Sequence, residues 1–153
     1  AGGKIFYDKG SYSDSWRYLE LCPSESSGYL QWASSTSYVS GSSAEAVGTG
    51  LANTETIIAS GDSSKYPAAW YCSNLDFNGI GDWFLPSRNE LAASRTNLGS
   101  GGFTRNAPYW SSSERTAADG GTNAAYYLYN PTGTTGPALK TNGDLYVKAA
   151  RRF

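Results

Sequence analysis

An α+β fold is predicted by the order in which the patterns change along the chain. Short apolar runs open it, helical patterns fill its middle, and short strands separated by turns return after Gly102. No internal repeat or composition break divides the 153 residues, so one domain over 1–153 is expected. A chain of this length buries roughly two thirds of its unfolded surface and needs neither a metal nor a dense disulfide network to fold.

GKIFY (3–7) is a short apolar strand, DKGSYSDS (8–15) a turn-rich loop, and WRYLEL (16–21) a second strand ended by Pro23. Residues 24–49 are rich in Ser and Gly. Trp32 and Tyr38 predict an ordered loop pinned by aromatics there, because disordered segments lack such residues. LANTETIIAS (51–60) has Leu51, Thr54, Ile57 and Ile58 on one helical face, with Gly61 as a C-terminal cap. PAAWYCSNL (67–75) is a second helix, with Pro67 at its first position and Ala68, Tyr71, Cys72 and Leu75 on one face.

The stretch GDWFLPSRNELAA (81–93) carries Ser87 three residues before Glu90, which is a capping box. The Ser oxygen accepts from the Glu amide while the Glu side chain reaches back. Pro86 keeps Leu85 out of the helix, and the helix runs from about Arg88 to Leu98, stopped by Gly99. No base accompanies Ser87, so the cap outweighs a nucleophile. YWSSS (109–113), AAYYLYN (124–130) and LYVKAAR (145–151) are strand candidates, and Asn142-Gly143 in TNGD is a hairpin signal.

Charged residues make up 16% of the chain and nearly cancel, with a net charge of −1, so overall charge points to no nucleic-acid or membrane partner. No apolar run reaches the roughly 18 residues of a membrane span. The start at Ala1 without a leader-like run is expected of a mature form or an excised domain. The chain has no His, which excludes a Ser-His-Asp triad, a Cys-His pair and a His-ligated zinc. Cys22 and Cys72 are too few for a structural zinc site; a disulfide and two buried thiols both fit them. Trp83 and Trp110 are expected in the core. No catalytic residue and no cofactor is expected.

Five motifs occur in a fixed order: GGKIFYDKGSYSDSWRYLE, AVGTGLANTETIIA, GDWFLPSRNEL, YWSSSE and YVKAARRF. Together they resemble the C-terminal domain of the Legionella collagen-like protein and its bacterial relatives. These domains are similar to the C-type lectin fold, in the branch that also holds formylglycine-generating enzymes and retroelement-diversified variable proteins. The resemblance implies a small twisted antiparallel sheet with flanking helices, neighbouring chain ends and a loop-rich half suited to ligands. It also implies an extracellular or cell-surface location and a homotrimer built on an upstream collagen-like stalk.

Four functions follow as expectations. Formylglycine-type chemistry works through cysteines and copper, and neither Cys22 nor Cys72 lies in the C-terminal loop region where it is expected. A calcium lectin is signalled by Glu-Pro-Asn or Gln-Pro-Asp with Trp-Asn-Asp, all absent. Asp76, Asn78, Asp82, Asp119 and Asn123 offer oxygens, but DFNGIGD lacks the dense alternation of a calcium loop, and such residues usually serve turns. No metal site is therefore expected.

The leading expectation is an adhesin for sulfated glycosaminoglycans or other acidic polysaccharides. The last third of the chain holds Arg105, Arg115, Lys140, Lys148, Arg151 and Arg152 against only Glu114, Asp119 and Asp144. Arg pairs bidentately with sulfate or carboxylate, and the family comparison points the same way. Lys140 and Arg152 are the preferred contacts, because Lys148 and Arg151 occupy positions where relatives carry Arg and one of them fits a structural ion pair. The alternative is a variable protein-binding domain using Tyr126, Tyr127, Tyr129, Asn130 and Asn142 after the WSSSE motif, residue types suited to adaptable binding surfaces.

Overall fold

The computed structural model describes residues 2–153. It contains six strands, β1 (Lys4–Ser13), β2 (Trp16–Leu21), β3 (Pro108–Glu114), β4 (Ala124–Tyr129), β5 (Thr134–Leu139) and β6 (Ala150–Arg152). Three helices lie between β2 and β3: α1 (Gly50–Ala59), α2 (Pro67–Ser73) and α3 (Arg88–Leu98). The strands form two antiparallel sheets, ordered β1-β2-β6 and β3-β4-β5. The α+β class is as the sequence predicts.

The first sheet joins the two ends of the chain. Leu21 faces Lys4 on one side and Ala150 on the other. β1 runs well past the expected five residues. Its continuation is a polar hairpin arm, and Asp14 and Ser15 turn it with φ of 51° and 65°, the positive values that a tight hairpin needs.

Of the expected face of the first helix, Thr54 and Ile57 are buried while Leu51 and Ile58 are half-buried, and Asn53 joins the buried side. On α2, Ala68 and Cys72 are buried while Tyr71 is half-buried. α3 begins on the capping box: the Glu90 amide donates to Ser87 Oγ at 3.3 Å, and the Ser87 amide donates to Glu90 Oε2 at 2.7 Å. Glu90 Oε1 also accepts from the Gly48 amide at 2.8 Å, so one carboxylate fastens α3 to the start of α1. Gly50 sits against this junction. A Cβ there would stand 2.2 Å from Glu90 Oε2, so only glycine allows the approach.

Segment 140–149 forms no hairpin, contrary to the Asn-Gly signal. It turns at 139–142, where the Asn142 amide donates to the Leu139 carbonyl at 2.9 Å, and then runs between the long loop and β3. Its carbonyls accept from Ala33, Leu30 and Ser26 on one side, and the Tyr146 carbonyl accepts from the Trp110 amide at 3.0 Å on the other. The hairpin lies earlier, joining β4 to β5 through residues 130–133, where the Gly133 amide donates to the Tyr129 carbonyl at 2.8 Å. One hydrophobic cluster gathers Trp32, Trp83, Leu85, Trp110 and Val147; the other gathers Phe6, Leu19, Phe84, Leu91, Tyr109 and Leu128. Trp83 and Trp110 are core residues, as expected.

Candidate functional site

The six cations of the last third do not form a common patch. Lys140 is fully buried, and its ammonium bonds to the Glu114 carboxylate and to the Ser37 carbonyl at 2.7 Å, 5.0 Å from the Trp32 ring centre. Glu114 in turn accepts from the Val39 amide at 3.0 Å and from Ser42 Oγ at 3.1 Å. Lys140 is therefore a core strut that ties residues 37–42 to the end of β3, not a surface contact. Burial pulls its amine down to about 8.

Lys148 is also buried, donating to the Pro23 carbonyl at 2.9 Å and lying 3.6 Å from Glu25. It too is withdrawn from the outer surface. Arg105 pairs with Glu25 and lies 4.4 Å over the Tyr146 ring. Arg151 lies 3.0 Å from Asp82 Oδ1, without the alignment of a hydrogen bond, and 3.5 Å from Glu20. Arg115 donates to the Asp119 carbonyl. Arg152 has no acidic partner among the described residues, and it borders a shallow depression beside Glu55, Asp82 and Trp83.

The acids that compensate Arg105, Lys148 and Arg151, namely Glu20, Glu25 and Asp82, come from the first 82 residues. A charge count over the last third could not include them. Glu25 is the hub, with its side chain only 4% exposed. Burial works against its carboxylate. Hydrogen bonds from Thr104 and Tyr109 and the nearby Lys148 ammonium outweigh that, holding it below its ordinary value.

The most prominent groove lies elsewhere. It measures about 850 Å³ and opens over β4 and β5, with Pro108 and residues 141–145 on its other side. Tyr127 and Tyr129 stand two residues apart on β4 and so share a face. Tyr127 pairs with Gly136 across the strands, and a Cβ at Gly136 would stand 3.3 Å from the Tyr127 hydroxyl, so the missing side chain gives that ring its room. Tyr129 and Leu139 are exposed at the rim.

Asn142 turns the lip. Its side-chain oxygen accepts from the Asp144 amide at 2.9 Å, an Asx turn that leaves the Asp144 carboxylate exposed. Asp144 is the only charged residue lining the groove.

Of the alternative set, Tyr127, Tyr129 and Asn142 meet in this groove. Tyr126 does not. It points to the other face and is covered by Arg88, 4.2 Å over its ring. Asn130 is buried and donates to the Arg105 carbonyl at 2.8 Å. Pro108, Leu139, Thr141 and Asp144 were not anticipated. The signal for Leu139 was the strand Thr134–Leu139, hidden because Thr-Gly-Pro reads as a loop; Pro108, Thr141 and Asp144 lie outside that strand and had no local signal.

The acids considered for calcium serve other contacts: Asp76 accepts from the Gly79 amide at 2.8 Å, Asp119 bonds Thr116, and Asp82 faces Arg151. Among the described residues, no three acids or cysteines converge into a metal-holding group. Cys22 and Cys72 are free, buried thiols, and burial pushes both up, Cys72 well above 9.0. No helix of the described residues is long and apolar enough to cross a membrane. No family model matches the chain, and no curated protein matches it significantly.

Proposed function

We propose that this chain is a non-catalytic extracellular binding domain of the C-type lectin-like class, with its ligand face at the groove over β4, β5 and segment 141–145. The observation that carries this is the convergence of Tyr127, Tyr129, Leu139 and Asn142 around a concavity of about 850 Å³, which is the size and character of a ligand site. The neighbouring chain ends and the capping-box helix agree with the fold that the motifs imply. On a trimeric stalk, three weak grooves would act together and raise the apparent affinity.

A second reading keeps some support. Arg152 is unpaired among the described residues, and Arg105 and Arg115 are only half-buried, so a weak contact with an acidic polysaccharide is open to them. It loses Lys140 and Lys148, two of the six cations that motivated it.

Variants separate the two. The domain is to be tested on an oligosaccharide array that includes heparin, with and without chelator, beside Tyr129→Ala and Arg152→Ala. The groove reading expects a bound ligand that Arg152→Ala retains and Tyr129→Ala weakens about tenfold or more, consistent with loss of a well-packed aromatic anchor. The reverse pattern would move the site to the cations. Loss on chelation would restore a calcium-dependent contact.

A further inference from the structure

We infer that the groove takes a neutral saccharide, an inference that rests on the groove being the ligand face. The chemistry of the lining separates it from other ligand classes. Two tyrosine rings, Tyr127 and Tyr129, supply flat apolar faces of the kind that sugar C–H bonds stack against, and Pro108, Pro137 and Leu139 extend the apolar wall. Around them stand polar groups that the protein leaves open. Among the described residues, the hydroxyls of Tyr127, Tyr129 and Thr141, the side-chain Nδ2 of Asn142 and the Asp144 carboxylate have no hydrogen-bond partner within the protein. The Asn142 oxygen is committed to the Asp144 amide.

Mixed donors and acceptors ringed about aromatic faces match a molecule with apolar ring faces and hydroxyls at its edges. The carboxylate accepts two sugar hydroxyls, and Asn142 Nδ2 donates to a third oxygen.

The electrostatics favour a neutral occupant. No Lys or Arg lines the groove, and Asp144 would repel a sulfate or carboxylate brought against it. A polyanion is therefore disfavoured at this site. A peptide added as a strand is disfavoured as well. β5 is an edge strand in the order β3-β4-β5, but Pro137 at its centre offers no amide to a ladder. The volume of about 850 Å³ accommodates a short oligosaccharide.

The test is an amide chemical-shift titration of the isotope-labelled domain against four probes: a neutral gluco-oligosaccharide, a neutral galacto- or manno-oligosaccharide, a heparin hexasaccharide and a lysine-rich peptide. A neutral probe is expected to shift amides of 127–129 and 139–145. Asp144→Ala should weaken that probe about tenfold or more while the dispersed spectrum persists, because a hydrogen bond to a charged group is lost. Chelator should leave the titration unchanged.

Shifts in the groove from the peptide alone would overturn the saccharide assignment and leave the groove as the ligand face. Shifts from heparin at Arg105, Arg115 or Arg152, with the groove silent to every probe, would overturn both. Silence to all four probes overturns the saccharide assignment. Neutral-probe binding that Asp144→Ala does not weaken removes Asp144 from the site.

Discussion

The residue that most changes the functional picture is Lys140. As one of six C-terminal cations it resembles a ligand contact, and nothing local distinguishes it from Arg152. The difference is the partner. Glu114 lies 26 residues away and closes onto Lys140 only when β3, β4 and β5 assemble. Removing one member of a buried pair strands the other, so Lys140→Met should cost about 3–5 kcal/mol in urea unfolding. Arg152→Ala should stay within about 0.5 kcal/mol of wild type.

Glu25 gives a pH signature. Its folded pKa lies below the ordinary 4.5, so the unfolded chain binds the proton more readily. The stability that Glu25 confers is present above pH 4.5 and is lost as the pH falls through the lower folded value. Unfolding free energy should decline on acidification in this window, and Glu25→Gln should flatten part of that slope.

At the scale of elements, what could be read from the sequence divides by range. The capping box is written within four consecutive residues, and α3 spans Arg88–Leu98 as expected. Ser87→Ala should destabilise the domain by about 1–2 kcal/mol in thermal unfolding, a cost typical of a lost N-cap. A Gly50→Ala change should be more harmful than its helical propensity implies, because the methyl group meets Glu90.

The strands were harder to read. The outer half of β1 is solvent-facing and β5 has no buried residue, so they lack the apolar alternation that marks a strand. Asn142-Gly143 has the composition of a hairpin turn, yet segment 145–149 pairs with the long loop and β3, contacts far off in the chain. With β5 unread, half the wall of the groove was also unread. Tyr127, Tyr129 and Asn142 could be named, while Leu139 and Asp144 could not.

For the whole molecule, the two sheets divide the work. The sheet β1-β2-β6 gathers both ends of the chain, and the sheet β3-β4-β5 carries the concavity at its far strands. Charge counted along the sequence pointed to the C-terminal cations. In the folded molecule, acids from the first 82 residues pair with Lys148, Arg105 and Arg151, Glu114 pairs with Lys140, and the main groove is lined by tyrosines, prolines and hydroxyls instead. The measurement that tests this most directly is the salt dependence of affinity for the strongest ligand found on the oligosaccharide array. A groove of tyrosines with one carboxylate predicts a dissociation constant that changes less than about twofold between 50 and 500 mM salt. A constant that weakens by an order of magnitude or more over that range would contradict it and return the ligand face to the arginines.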